Sequence, residues 1–470
     1  MDDTGERKRK KFVVEIDPEI VERYDTPGPR YTSYPPANLF REGFSGEDYL
    51  ERVVRSNREG SEGISLYIHV PFCPRLCHFC GCNTEGRKDR AFIERYFDAL
   101  LTEIGQVSEK LDQSRLVTQV HWGGGTPNSV EWEQIGRVMG YFRDRFRFME
   151  DAEIAMECNP AYLEISDVNR LAEMGFNRVS LGIQDFSEEV LRIINRSPSR
   201  LPAGELVEEI RRRGIGVNLD FVYGLPGQTL DGYLDTLRKA VDIRPRRLVT
   251  FSYAHVPWVK KAQKILEKAG LPSPEEKLQM LVGGYELLTG AGYQAIGMDH
   301  FALPEDEMSK AFRSHSLHRN FQGYCTRKHT GQVYAFGASA ISQLNSAYFQ
   351  NAKEALQYME SLEKGVLPVV RGYLVDQQEK VVRQVINQIM CNGTVDLGEE
   401  AAKLEMSPQE LRQAIGFKRE DFRPLIEDGL VELTGDTIWA TTLGMLLVRV
   451  IARKLDPAYT AYRQKFSRVI

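Results

Sequence analysis

The sequence has no apolar run long enough to span a bilayer, and its first stretch, MDDTGERKRKKFVVEID, lacks the apolar core of a signal peptide. A cytoplasmic protein without a membrane segment is expected. A strong charge bias is also missing: 61 Lys and Arg stand against 66 Asp and Glu, a formal net charge of -5. No bulk field therefore draws the chain to nucleic acid or to an anionic membrane, and any anion recognition must be local. The short basic run from Arg7 to Lys11 reads as a solvated tail. There is no internal repeat and no low-complexity tract. Seven cysteines, an odd number with four inside the ten residues CPRLCHFCGC (73–82), fit a secreted disulfide framework badly. In a reducing compartment, thiols crowded in this way point to metal. Cys158, Cys325 and Cys391 are scattered and read as small core residues.

With 470 residues, 42% of them hydrophobic, the chain can bury a large core and carry smaller units besides. Six strand-like runs follow one another: ISLYIHV (64–70), VTQVHW (117–122), EIAMEC (153–158), RVSLGI (178–183), GVNLDFVYG (216–224) and RLVTFSYA (247–254). Amphipathic helical stretches with apolar residues three and four apart separate them. Strand and helix in alternation imply an α/β fold with a parallel sheet and right-handed crossovers. In such folds function collects where the strands end.

Three parts follow. Residues 1–60 contain DTPGPRYTSYPPA, too rich in Pro and Gly for a regular element, and are expected to form an N-terminal arm covering the functional end of the sheet; residues 61–350 are expected to form the α/β catalytic part, and residues 351–470 a mainly helical C-terminal domain. Within the last, EDFRPLIEDGLVELTGDTIWATTLGMLLVRVIARKL reads as helix, two short strands and helix, a winged-helix-like outline with no basic recognition face.

The cysteine cluster starts where the first strand ends. Structural zinc needs a second ligand pair farther along, and none is present; His78 does not complete the pattern. A redox centre would use an isolated CxxC, whereas Cys77 and Cys80 have cysteine neighbours. An iron–sulfur cubane remains, held by Cys73, Cys77 and Cys80. Its fourth iron is either left open or reached by Cys82, two residues beyond Cys80 and close for that purpose. WGGGTPNS (122–129) follows the second strand, where missing Cβ atoms let backbone groups approach a ligand. Glu157, Gln184 and Asp220 sit at the ends of the third, fourth and fifth strand runs or just within them. Carboxylates are seldom buried without partners, so Glu157 and Asp220 call for a reason.

CxxxCxxC on a loop after the first strand resembles the signature of radical S-adenosylmethionine (SAM) enzymes, which implies a partial (β/α)6 TIM-like barrel and a 4Fe–4S cluster whose open iron chelates SAM. Seven further segments sharpen the likeness: GPRYTSYP (28–35), YIHVPFCPRLCHFCGC (67–82), NRVSLGIQDF (177–186), DFVYGLPGQT (220–229), GMDHFALPEDE (297–307), LHRNFQGY (317–324) and QKFSRVI (464–470). Together they resemble the oxygen-independent coproporphyrinogen III oxidases.

That resemblance implies oxidative decarboxylation of two propionates of coproporphyrinogen III to vinyl groups, giving protoporphyrinogen IX in anaerobic haem biosynthesis. It implies metal ligation by Cys73, Cys77 and Cys80, with Cys82 a motif cysteine that is not a ligand. It implies two SAM molecules, the first on Tyr67, Gly124, Glu157 and Ile341, the second on Phe79, Gly125, Thr126, Gln184, Arg196, Asp220 and Ala254. Tyr67, His69, Cys82, Glu157, Phe321 and Gln322 are the residues it places at the reaction. One region departs from the pattern: CTRKHTGQVYAFGASAIS carries Cys325, an inserted residue and Tyr334 where relatives have Thr-Asp-Leu and a GxG turn, and this bears on Ile341.

A substrate with four propionates arrives as a tetra-anion, so an acidic protein needs placed arginines, whose planar forks pair with carboxylates. Arg30 and Arg319 are the candidates. An electron donor such as flavodoxin or ferredoxin is the expected protein partner, and the chain is expected to act as a monomer. The alternatives are a haem-modifying radical SAM enzyme and a haem chaperone of the same family, which the arm motif, Cys82 and HRNFQGY disfavour.

Overall fold

The computed structural model describes residues 18–59, 63–86, 88–326, 332–462 and 466. The basic run 7–11, part of the divergent loop (327–331) and all but one residue of QKFSRVI lie outside the described residues. Six parallel strands form in sequence order: β1 (Gly63–Val70), β2 (Leu116–Gly124), β3 (Arg147–Cys158), β4 (Arg178–Gln184), β5 (Gly216–Tyr223) and β6 (Arg247–Ser252). They read as near-continuous apolar runs because helices cover a parallel sheet, and Leu66, Ile68, Val70, Val120 and Leu219 are all fully buried. Two of the crossover helices start on side-chain caps: Asp89 accepts from the Phe92 amide (2.8 Å), and Thr229 from that of Gly232 (3.1 Å). The α/β partial-barrel core expected from the sequence is therefore what forms.

The sheet extends beyond those six strands to thirteen. Val333–Phe336 runs parallel to β1 on its outer edge, with Ala335 opposite Tyr67, and so adds a seventh parallel strand. Antiparallel strands Ile341–Gln343, Ala347–Asn351 and Val369–Leu374 continue that side, ending on Arg41–Glu42. Beyond β6 the sheet ends in His300–Ala302 and Gln294–Ile296.

After helix Gln377–Asn392 a separate unit follows, built on the three-stranded sheet Thr394–Asp396, Thr437–Ala440 and Val431–Thr434. Its core contains Val385, Ile389, Leu425 and Ile451, together with Tyr24, Tyr31 and Tyr34 from near the other end of the chain. The Tyr31 and Tyr34 hydroxyls both donate to Asp456, each at 2.9 Å, while Arg449 holds the Gly28 carbonyl (2.7 Å) and the Pro29 carbonyl (3.2 Å). The rest of the arm belongs to the barrel: Tyr49 and Val53 of helix Gly46–Ser56 are buried in the main core. Among the described residues no helix is long and apolar enough to cross a membrane.

Candidate active site

The cysteine loop leaves β1 and is pinned at several points. The Cys73 amide donates to the Glu85 carbonyl (2.9 Å), the His78 amide to that of Ile194 (3.0 Å), and the Cys80 amide turns back onto Cys77 (3.3 Å). Cys73 is buried, Cys77 and Cys80 are half-buried, Cys82 is exposed, and all seven cysteines are free thiols. Two donors aim at the sulfurs: Thr126 Oγ1 lies 3.4 Å from Cys73 Sγ, and Arg196 Nη1 lies 3.8 Å from Cys77 Sγ. Hydrogen bonds and positive charge at sulfur favour thiolate over thiol. At Cys73 and Cys77 burial outweighs these donors, pushing the Cys73 thiol up to about 11 and raising that of Cys77, whereas a hydrogen bond from the Cys82 thiol, against the pull of burial, holds the Cys80 thiol down. Three thiols on one loop with such donors fit an iron–sulfur cluster. Among the described residues no three His, Cys, Asp or Glu side chains gather as they do around a single ion.

Behind the loop stands the glycine turn that ends β2. A Cβ on Gly124, whose φ is +109°, would fall 2.6 Å from the His69 ring, and one on Gly125 would fall 2.8 Å from the Phe72 carbonyl oxygen. Only glycine lets β2 end this close to β1. Tyr67 hydroxyl meets His69 Nδ1 at 3.2 Å, and His69 Nε2 donates to the Asn83 carbonyl at 2.9 Å, which fixes the neutral tautomer; burial lowers the affinity of this imidazole for a proton. His121, opposite Tyr67 in the sheet and stacked on its ring (centroids 6.0 Å), contacts Glu157 Oε1 through Nε2 at 3.0 Å. Burial opposes charge on both partners, but their mutual attraction wins: Glu157 is held below the usual carboxylate range and His121 above the usual imidazole range.

The next wall comes from β4 and β5. Gln184 takes a left-handed backbone conformation (φ +71°) at the end of β4, and the same Arg196 that reaches Cys77 donates to the Gly182 carbonyl. Asp220 accepts from Ser180 Oγ at 2.7 and 2.9 Å; burial pushes its carboxyl up to about 6, and Glu157 adds to this. Phe79 and Ala254 are joined by one buried side chain, because Gln263 Nε2 donates to both carbonyls (3.0 and 3.2 Å). Lys260 Nζ reaches the Cys82 carbonyl (2.6 Å).

A cavity of about 120 Å³ opens inside the barrel, with His121, Glu157, Asp220, His300, Gln322 and Tyr324 among its lining. Gln322 and Phe321 form the tip of the hairpin His318–Asn320 and Gly323–Cys325, and they diverge. Gln322 lines the cavity with its side-chain oxygen buried and without a donor, an acceptor awaiting a partner. Phe321 packs with Ile341, Phe40 and Tyr348 in a separate aromatic cluster. The structure thus brings Tyr67, His69, Gly124 and Glu157 together beside the cysteine loop, while Phe321 and Ile341 pack in the separate cluster around Phe40 and Tyr348. Sequence reasoning missed His121, Ser180, Lys260 and Gln263. For His121 a signal existed, a polar residue inside an otherwise apolar strand run; for Gln263 there was none.

The Radical SAM superfamily model matches residues 67–240. The oxygen-independent coproporphyrinogen III oxidase of Escherichia coli (strain K12) is 39% identical over 466 residues, covering 97% of this chain and 99% of the relative. The enzyme of that name from Synechocystis sp. is 36% identical over 461 residues, covering 97% and 98%. The solved structure described as coproporphyrinogen III oxidase from Escherichia coli, a radical SAM enzyme, superposes with a TM-score of 0.87 at 37% identity, covering 95% of this chain and 99% of that one. With its cysteine loop, its glycine turn and a likeness running the length of both chains, this chain belongs to the oxygen-independent coproporphyrinogen III oxidase family of radical SAM enzymes.

Proposed function

We propose that this chain converts two propionate side chains of coproporphyrinogen III to vinyl groups, giving protoporphyrinogen IX, with a 4Fe–4S cluster on Cys73, Cys77 and Cys80 and two SAM molecules. The observation that carries the reading is the convergence of the three-thiol loop, the glycine turn at Gly124 and the Glu157 carboxylate at one end of the sheet. When bound, cluster and SAM would supply a 5'-deoxyadenosyl radical able to take a hydrogen atom from a propionate β-carbon, with carbon dioxide leaving and one electron passing to an external one-electron acceptor.

The chain's own residues bind, orient and exclude water. Glu157, kept ionised by His121, offers an anion to a hydroxyl or ammonium of the first SAM, beside Gly124 and Tyr67. Asp220, Gln184, Arg196 and the Phe79 and Ala254 backbone, with Gly125 and Thr126, form the neighbouring wall for the second. His69, neutral and clamped between Tyr67 and Asn83, and Gln322, with its free buried acceptor, face the reacting side chain. Cys82 stands beside the cluster loop as an exposed thiol. No protein base is required, because the hydrogen leaves as an atom; the need is for position and for a dry pocket.

A one-electron donor such as flavodoxin or ferredoxin, action as a monomer and a cytoplasmic setting complete the reading. The test is anaerobic reconstitution with dithionite, SAM and coproporphyrinogen III, following porphyrin products and 5'-deoxyadenosine together. Protoporphyrinogen with about two deoxyadenosines per molecule supports it. Deoxyadenosine without decarboxylation removes the substrate assignment, and stable haem binding without turnover turns the chain into a carrier.

A further inference from the structure

Four cations meet where the arm, the end of the barrel and the C-terminal unit come together. Arg319, on the hairpin that carries Gln322, is only 6% exposed. Its Nη1 donates to the Arg30 carbonyl (3.3 Å), its guanidinium lies over the Tyr324 ring (4.9 Å), and its buried Nε–H meets no acceptor. Arg30 itself is half-buried. Lys277, half-buried, donates to the Tyr253 carbonyl at 2.9 Å; burial lowers its ammonium to about 8, and Arg30 and Arg449 press the same way. Arg449, buried, grips the Gly28 and Pro29 carbonyls, the two residues before Arg30.

The counter-charge is thin. Asp299 and Asp25 lie within the field of these cations, and Asp299 is engaged with His300 Nδ1 at 2.7 Å. Among the described residues no carboxylate lies within ion-pairing distance of Arg30, Lys277 or Arg319. Arg453 adds to the positive field on Arg449, and cations gathered away from bulk water with so little carboxylate beside them are unfavourable unless an anion joins them. The cluster adjoins the barrel cavity, because Tyr324, under Arg319, and His300, on Asp299, both line it.

We propose that Arg30, Arg319 and Lys277 form a carboxylate-binding site that receives the two propionates the reaction leaves intact, and that Arg449 is a positioning residue for the segment bearing Arg30. The proposal rests on the functional reading above and assigns the end of the substrate opposite the reacting groups. A propionate held by guanidinium forks is stabilised as the anion, and loss of carbon dioxide would forfeit that ion pair. Carboxylates bound here are therefore protected, and they fix which side chains face the SAM sites.

The test is fluorescence titration of reconstituted, full-length protein with coproporphyrin III, the stable oxidised form of the substrate, and with its uncharged tetramethyl ester. R30Q, K277Q and R319Q are each expected to weaken coproporphyrin III binding about tenfold or more. Ester binding, weak in the parent protein, should stay the same, and R319K should recover part of the loss. SAM binding on the same samples reports the fold, and R319K carries the test at that position if R319Q does not fold. Variants that fold and bind coproporphyrin III as tightly as the parent overturn the site while the functional reading stands. A parent protein that neither binds nor decarboxylates the substrate overturns that reading and the site with it.

Discussion

Glu157 and His121, on neighbouring parallel strands, share a hydrogen bond of 3.0 Å below the glycine turn, and each stabilises the charge of the other despite burial. The carboxylate therefore faces the site ionised and aimed. His121→Phe keeps an aromatic ring against Tyr67 and removes the hydrogen bond. It should weaken SAM binding to the reconstituted protein by about tenfold to a hundredfold, the usual loss when a supporting contact to a charged ligand group goes. Equilibrium dialysis measures this; an unchanged SAM affinity would show that Glu157 needs no help from His121.

Arg196 reaches Cys77 sulfur and the Gly182 carbonyl with one guanidinium. Donors and positive charge near cluster sulfurs favour the reduced, more negative state. Arg196→Gln should keep three-cysteine ligation and iron content while shifting the cluster potential downward, with slower deoxyadenosine formation. Potentiometry followed by electron paramagnetic resonance reads the shift, and an upward or null shift would contradict the geometry.

Glu103 is buried behind the barrel, accepting from Tyr358 (2.6 Å), Asn351 (2.6 Å) and the Gly337 amide (2.9 Å). Burial still pushes its carboxyl up to about 7. The folded state thus holds the proton more tightly than the unfolded chain, so this contribution to stability is complete below about pH 4.5 and is lost as pH rises through about 7. Its size, of order 3 kcal/mol as an upper bound, follows from the rise from 4.5 to about 7. Denaturant unfolding at pH 5 and pH 8 should show a smaller difference in Glu103→Gln than in the parent protein. An equal difference would mean that Glu103 does not titrate in this range.

Tyr31 and Tyr34 hold Asp456 from 425 and 422 residues away. Phenylalanine at both positions removes two donors from a buried carboxylate and should cost about 2–3 kcal/mol. Because the same segment carries Arg30, the double variant should also bind coproporphyrin III more weakly. Chemical denaturation and porphyrin titration on the same sample separate the two effects, and full stability in the double variant would remove Asp456 as the anchor of the arm.

The six strands, their helices and the cysteine loop were legible because each depends on local pattern: apolar runs, three-and-four spacing, glycine after a strand. Glu157 and Asp220 were legible as carboxylates in places where burial demands a reason. His121 was not paired with Glu157, since no local rule joins residues 36 apart until the register of β2 and β3 is known. Gln263 tying Phe79 to Ala254 was hidden for the same reason. Val333–Phe336, only four residues long beside the divergent loop, carries too little pattern to announce a seventh parallel strand. The seat of the arm depends on contacts that span most of the chain.

That seat orders events in time. During synthesis the segment around Arg30 emerges about 420 residues before Arg449 and Asp456, which hold it. The barrel strands lie between them in sequence, so the barrel can assemble while the arm still waits, loosely tethered, for its anchors. A chain synthesised only as far as the barrel therefore has its thiols and glycine turn before it has a seated arm.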